Sequence, residues 1–235
     1  MFERDPGTRM AVAAATIDYV ESHFPKEIQH TIDNTLMYEG YTPIETGATG
    51  NVSVTSAYAA QVCRSIDGDN LGIVSIHNYG EAGGGFMQGG YNQEAALCLT
   101  SNLFPVLCHF DAPTQLPMEN GALLYTPGVL FIDDKNSAKP VDVIHCYDIL
   151  CVAGPEELRK RIRATLGVAS ENGITTLVLS PIGRGLFGFR PSVVSSIYAE
   201  ELQNFQFDQV IFAIPDTLDP ETYRTFLETF KEKGK

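Results

Sequence analysis

The sequence has little positive charge. Only 16 Lys and Arg residues stand against 29 Asp and Glu residues, so the net charge is −13. A protein that binds nucleic acid or an acidic membrane surface needs a positive face toward the phosphates. The charge balance therefore argues against both of these partners. It remains compatible with a small anionic ligand that is held by backbone N–H groups.

Long apolar runs are also missing. No stretch approaches the roughly 18 consecutive apolar residues that are needed to span a bilayer. The N-terminal segment MFERDPGTRM is charged and is not followed by an apolar core, which is unlike a secretory signal. We therefore expect a cytoplasmic protein.

The cysteines form no CxxC pair, and their number is odd. They are Cys63, Cys98, Cys108, Cys146 and Cys151. We interpret them as buried free thiols in a reducing compartment, because a zinc site or a disulfide framework needs paired spacing. No Cys, His and Asp cluster has the spacing of metal ligands, so neither a metal nor another cofactor is expected.

The first 50 residues differ in pattern from the rest. A helix is predicted over residues 8–24, ended by Pro25, and residues 25–50 are expected to be mostly irregular. The predicted apolar stripe of the helix is Met10, Ala13, Ala14, Ile17 and Val20. We therefore assign an N-terminal helix and covering arm to residues 1–50, and the main domain to residues 51–235.

From Asn51 onward, predicted strands and helices alternate. Strands are predicted in NVSVTS, LGIVSIH, ALLYTPGVLFIDD (two short strands around Pro127-Gly128), VDVIHCYDILCV, TTLVLS and QVIFAI. Helices are predicted over residues 92–102, from Pro155 to an exit at Gly173, and over residues 191–203. The alternation predicts an α/β fold with a largely parallel sheet covered on both faces.

The helix that Pro155 opens has two predicted faces. Leu158, Ile162, Leu166 and Ala169 are expected to face the sheet. Arg159, Lys160 and Arg163 are expected to form a solvated basic face.

Two glycine-rich loops each follow a predicted strand and precede a helix. They are GEAGGGFMQGG, residues 80–90, and GRGLFG, residues 183–188. Ligands of such sheets bind beyond the carboxyl ends of the strands, and glycine lets backbone N–H groups approach an anion. Either loop alone is also compatible with a simple tight turn. Together they suit a diphosphate with a sugar at each end.

Neither loop matches other nucleotide-binding motifs. No Lys-Ser or Lys-Thr follows the glycines, unlike the GxxxxGK[ST] phosphate loop. The second loop does not open the first strand-helix unit with an acidic residue at the dinucleotide spacing, so a nicotinamide dehydrogenase is set aside.

Three glycines followed, after seven residues, by Gln93-Glu94 resemble the signature of microbial-type poly(ADP-ribose) glycohydrolase, a branch of the macrodomains. The segments YTPGVLFIDD, TTLVLSPIGRGLFG and FDQVIFAI resemble other parts of that family. The resemblance extends from the first helix to Asp216. It implies a macrodomain, a mixed sheet between helices, with ADP-ribose bound in a cleft.

The resemblance also implies roles for individual residues. Gly83, Gly84, Gly85 and Phe86 would surround the distal ribose and diphosphate, and Gln93 and Glu94 would face the distal ribose. The diphosphate would be held by Gly183, Arg184, Gly185 and Leu186. Phe187 would lie behind the distal ribose. Phe212 would stack on adenine or simply belong to the core. Arg184 stands where relatives have a small residue, and would either add affinity through its charge or face solvent.

One departure from the family concerns the catalytic residue. The family motif is Gln-Glu-Glu, whose second Glu is the catalytic acid/base, and this chain has Ala95 there. Cleavage of the ribose–ribose bond needs a carboxylic acid to protonate the leaving oxygen. One step along a helix turns a side chain by about 100°, so Glu94 points elsewhere and is interpreted as an acceptor for a ribose hydroxyl.

The sequence therefore predicts a protein that binds ADP-ribose or a molecule derived from it, and acts as a reader, sensor or sponge. The alternative is an active glycohydrolase or ADP-ribosyl hydrolase that uses another acid. Glu81, Asp111, His77 and His109 are the candidates for that acid.

Overall fold

The computed structural model describes residues 5–66, 68–77, 82–110, 121–147, 151–185 and 188–231. The helices are α1 Pro6–His23, α2 Pro25–Asp33, α3 Ala59–Ser65, α4 Gln93–Cys98, α5 Leu103–Phe110, α6 Pro155–Glu171, α7 Pro191–Glu201 and α8 Pro220–Thr229. The strands are β1 Leu36–Tyr38, β2 Val52–Thr55, β3 Leu71–His77, β4 Leu123–Ile132, β5 Ala138–Tyr147, β6 Thr176–Leu179 and β7 Gln209–Ala213.

The seven strands form one mixed sheet in the order β1-β4-β5-β3-β6-β7-β2. Strand β4 pairs antiparallel with both β1 and β5, whereas β6 pairs parallel with β3 and β7, and β7 with β2. This confirms the predicted α/β fold class with a mixed sheet. The parallel part follows from the strand-helix alternation in the second half of the sequence.

The chain divides into two compact units. The first unit contains residues 1–39 and 75–147, and the second contains residues 40–74 and 148–235. The first glycine loop belongs to the first unit and the second loop to the second unit.

The prediction that residues 25–50 are mostly irregular is wrong over its first part. Pro25 is the first residue of α2, where the missing N–H and fixed φ of proline suit a helix start. Strand β1 then pairs antiparallel with β4, with Leu36 opposite Tyr125. Residues 39–51 have neither helix nor strand.

The predicted pair of short strands around Pro127-Gly128 is one continuous strand, β4. A bulge lies between Thr126 and Val129, and the Asp142 carboxylate of β5 accepts a hydrogen bond of 2.9 Å from the Gly128 N–H. The carboxylate thus satisfies a donor that the bulge removes from the ladder, so the strand continues through the glycine.

Helix boundaries also differ from the predictions. The helix predicted over residues 92–102 ends at Cys98, and α5 begins at Leu103. Helices α3, α5 and α8 were not predicted. In α1, Ala13 and Val20 are buried as expected, but Met10 and Ala14 are exposed and Arg9 is buried.

In α6, all four residues expected to face the sheet are fully buried. The basic face is different from the prediction. Arg159 and Arg163 each donate a hydrogen bond of 2.9 Å to the buried carboxylate of Glu201, and only Lys160 is strongly exposed. A buried carboxylate is costly unless it is paired, which explains the position of the two arginines.

All five cysteines are free thiols, but the prediction that they are buried is wrong for two of them. Cys108 and Cys151 are exposed, whereas Cys63, Cys98 and Cys146 are buried. Within the described part of the chain, no helix is both long and apolar enough to cross a membrane.

Candidate functional site

The described part of the first glycine loop, residues 82–90, has a tight turn at Ala82–Gly84 and a short 3₁₀ turn at Phe86–Gln88. Gly83, Gly84 and Gly85 all have positive φ, at 72°, 58° and 74°. A residue with a Cβ is strained at such a φ, so these three successive positions favour glycine. The Gly90 N–H donates to the Gly85 carbonyl at 2.8 Å, which closes the loop on itself.

Asn92 connects this loop to α4. Its amide nitrogen donates to the Gly84 carbonyl at 2.7 Å, and its side-chain oxygen accepts from the Ala95 N–H at 2.9 Å as the N-cap of the helix. A Cβ on Gly84 would lie 2.5 Å from the Asn92 side-chain oxygen. The glycine is therefore required for this contact as well as for its φ. This role of Asn92 was not predicted, although an Asn at the start of a predicted helix is a recognised capping signal.

Gln93 fixes the end of strand β3. Its side-chain oxygen accepts a hydrogen bond of 2.7 Å from the Ile76 N–H. The resemblance implies that Gln93 faces the distal ribose. In the structure its side-chain oxygen contacts the strand that leads into the loop.

Glu94, which is predicted to accept from a ribose hydroxyl, is paired with a histidine in the structure. Both of its carboxylate oxygens lie 2.8 Å from Nδ1 of His77, the last residue of β3. Glu94 is fully buried and His77 is 4% exposed. The His77 ring also packs edge-on against Tyr147, with ring centres 4.8 Å apart. This carboxylate and imidazole thus form a buried pair, and the contact of Glu94 with a ribose hydroxyl stays a prediction.

His145 lies on β5 and is also buried. Neither of its ring nitrogens has a hydrogen-bond partner among the described residues. Burial, and secondarily the charge of His77, lower the pKa of His145 from 6.5 to about 3. The unfolded chain therefore binds a proton below about pH 6.5 that the folded protein does not take up until the pH is near 3.

We accordingly expect the free energy of unfolding to fall as the pH is lowered through 6.5 toward 3. A His145→Gln variant cannot bind this proton, so its free energy of unfolding should depend less on pH in this range. Urea unfolding from about pH 7.5 to about pH 4.5 measures both curves. His30→Gln, which changes an exposed histidine, should leave the pH dependence as it is. Equal slopes for His145→Gln and the unmodified protein would contradict the expectation.

The second glycine loop follows β6. Gly183 has a φ of 81°, and the Phe189 N–H donates to its carbonyl at 2.8 Å. The Gly188 N–H donates to the Gly185 carbonyl at 2.9 Å. Like the first loop, this segment closes on itself through backbone hydrogen bonds. The predicted site residues Leu186 and Phe187 lie outside the described residues.

Arg184 holds the second loop to the start of α8. Its Nε donates to the Thr222 hydroxyl at 2.8 Å, and one terminal nitrogen donates to Asp219 at 2.9 Å. The other terminal nitrogen donates to the Phe189 carbonyl. Partial burial alone would raise the pKa of Asp219, but hydrogen bonds from Thr222 and Arg184 outweigh it and lower that pKa. Arg184 is thus ion-paired within its own unit rather than facing solvent alone, and its contact with the diphosphate stays a prediction.

Two predicted aromatic contacts are core contacts in the structure. Phe212 is fully buried among Tyr198, Phe226 and Phe230, with ring centres 4.9–5.0 Å away, so it has no exposed face for adenine. Phe86 is also buried, with its ring centre 4.7 Å from that of Phe104.

Comparison with known protein families identifies a family for this chain. The profile of the microbial-type PARG catalytic domain, where PARG is poly(ADP-ribose) glycohydrolase, matches residues 13–134, which is more than half of the chain. The chain belongs to the microbial-type PARG family. The matched region contains the first glycine loop and the segment Gln93-Glu94-Ala95 and ends before the second loop.

Solved structures of other PARG proteins have the same fold. The crystal structure of PARG from Thermomonospora curvata aligns with a TM-score of 0.77 at 22% identity, covering 95% of this chain and 100% of that chain. PARG from Deinococcus radiodurans in complex with ADP-ribose aligns with a TM-score of 0.72 at 24% identity, covering 88% of this chain and 98% of that chain. No curated protein sequence matches the chain. The macrodomain-like fold expected from the resemblance is thereby confirmed.

Proposed function

We propose that this PARG family member binds ADP-ribose, or a small molecule derived from it, and does not hydrolyse it. The observation that carries the proposal is the first glycine loop. Its three left-handed glycines are held by Asn92 and followed by Gln93-Glu94-Ala95, in the region that matches the family. The Thermomonospora protein with the inhibitor ADP-HPD and the Deinococcus protein with ADP-ribose support this class of ligand.

In this proposal the glycine loops bind the ligand through their backbones. The diphosphate and distal ribose are contacted by the N–H groups of Gly83, Gly84 and Gly85 in the first loop and of Gly183 and Gly185 in the second. Such N–H groups approach an anion closely because no Cβ intervenes. Leu186 and Phe187 are the other two residues of the second loop that are predicted to contact the ligand. This mode of binding agrees with the net charge of −13, because it needs no basic patch.

Loss of hydrolysis follows from Ala95. A methyl group cannot protonate the leaving oxygen of the ribose–ribose bond, and loss of a positioned acid costs roughly 10²–10⁴ in rate. The ligand would then be retained rather than turned over, as expected for a reader, sensor or sponge.

Isothermal titration with ADP-ribose tests binding, and release of ADP-ribose from poly(ADP-ribose) tests hydrolysis. We expect binding to the unmodified protein without turnover. AMP, which lacks the second phosphate and the distal ribose, should bind much more weakly. Absence of binding up to about 1 mM ADP-ribose would refute the proposal.

The buried His77–Glu94 pair favours a second candidate, an active divergent hydrolase. An imidazolium held at Nδ1 by a carboxylate could donate a proton to the leaving oxygen in place of the missing glutamate. Of the other candidate acids, His109 is exposed on α5, and Glu81 and Asp111 lie outside the described residues. Turnover by the unmodified protein that is lost in His77→Gln, with ADP-ribose binding retained, would establish this candidate instead.

A further inference from the structure

Helix α1 has a charged residue on its buried stripe. Arg9 is 6% exposed and lies four and eleven residues before the buried Ala13 and Val20. Positions at these spacings share one face of a helix, on which an apolar side chain is expected. Arginine is rarely buried to this extent unless it is paired, so its partners account for its position.

Two partners of Arg9 among the described residues belong to the first glycine loop and the residue after it. The Arg9 Nε donates a hydrogen bond of 2.7 Å to the Gly89 carbonyl. Its guanidinium carbon lies 5.0 Å from the centre of the Tyr91 ring, within the range of a cation–π contact. Gly89 and Tyr91 are the two neighbours of Gly90, whose N–H closes the loop onto Gly85. Arg9 therefore contacts both neighbours of the closing residue.

The start of α1 is fitted to the loop. A Cβ on Gly89 would lie 2.7 Å from the Pro6 carbonyl oxygen, so the two backbones approach closely. Asp5 caps the helix by accepting from the Thr8 N–H at 2.7 Å. The cap fixes where the helix begins and hence where Arg9, one turn later, meets the loop.

We infer that Arg9 is a positioning residue for the ligand site. Its guanidinium holds Gly89 and Tyr91, and through them keeps Gly90 hydrogen-bonded to Gly85, so that the glycine N–H groups keep a fixed arrangement. Arg9 acts through the loop and does not itself touch the ligand. This role rests on the proposed function, because the ligand is the one proposed there.

The test compares Arg9→Met and Arg9→Lys with the unmodified protein. Hydrogen–deuterium exchange of the segment 83–90 measures the opening of the loop. Isothermal titration measures ADP-ribose affinity, and thermal unfolding measures the stability of the whole protein. In Arg9→Met the loop amides should exchange faster and ADP-ribose should bind about tenfold more weakly, because the charge-assisted hydrogen bond is lost. Arg9→Lys keeps a charged donor but lacks the planar guanidinium. Its loop exchange and ADP-ribose affinity should therefore lie between those of Arg9→Met and the unmodified protein.

Arg224→Lys is the matched control. Arg224 is exposed on α8 and donates to the Pro220 carbonyl within its own helix at 3.1 Å, so its replacement should change neither loop exchange nor affinity.

Two results would overturn the inference. One is unchanged loop exchange and affinity in Arg9→Met. The other is faster exchange spread over the whole chain in both Arg9 variants, which would mean that the residue supports the fold in general. Failure of the unmodified protein to bind ADP-ribose is a failure of the proposed function, and the exchange comparison then still decides whether Arg9 fixes the loop.

Discussion

Replacing Ala95 with glutamate is expected to create glycohydrolase activity, with a rate roughly 10²–10⁴ above that of the unmodified protein. Ala95 lies in the first turn of α4, where its N–H is capped by Asn92, and its neighbour Glu94 is held by His77. The pair leaves Glu94 unable to serve as the acid, so the new side chain would supply it. Ala95 is fully buried, and burial favours the protonated form of a carboxyl group, which suits a general acid.

Release of ADP-ribose from poly(ADP-ribose) measures this gain, with ADP-ribose affinity and thermal unfolding followed in parallel. Ala95→Gln is the matched control, because glutamine has nearly the same size as glutamate and has no acidic proton. Activity in Ala95→Glu but not in Ala95→Gln is the expected result. A folded Ala95→Glu variant that binds ADP-ribose and shows no turnover would contradict the role assigned to this position.

Alanine at Gly90 or Gly188 is expected to weaken ADP-ribose binding by at least about 100-fold. A Cβ on Gly90 would lie 2.3 Å from the Gly84 carbonyl oxygen, and a Cβ on Gly188 would lie 2.4 Å from the Gly183 carbonyl oxygen. Both distances are far below van der Waals contact, and both neighbours are backbone atoms that cannot rotate away. Each loop would have to open, which displaces the N–H groups that the proposal assigns to the ligand.

Isothermal titration of the two variants measures the loss, and thermal unfolding shows whether the fold is retained. Gly50→Ala is the control, because a Cβ there meets nothing within 4 Å and the residue has no positive φ. Unchanged affinity in a folded Gly90→Ala variant would remove the first loop from the ligand site. Unchanged affinity only in Gly188→Ala would limit the ligand to the first loop.

The elements and motifs that depend on near neighbours along the chain could be predicted from the amino-acid sequence. Strand β2, the parallel strands of the second half and helix α6 were predicted from periodicity, because burial of one face leaves a regular pattern. The glycine loops and the segment Gln93-Glu94-Ala95 were recognised from spacing alone. Pro25 is a local signal that was misinterpreted. A proline can end one helix or begin another, and here α2 begins at Pro25 a single residue after α1 ends.

The pairing of side chains could not be predicted from the sequence and is known from the folded chain. Glu94 meets His77 across 17 residues, Arg184 meets Asp219 across 35, and Arg9 meets Gly89 across 80. A local pattern shows which face of an element is buried, but it does not show what lies against that face. Hydrogen bonds and ion pairs act over a few ångströms in space regardless of separation in sequence. For that reason the partners that hold each glycine loop in place emerged only from the folded chain.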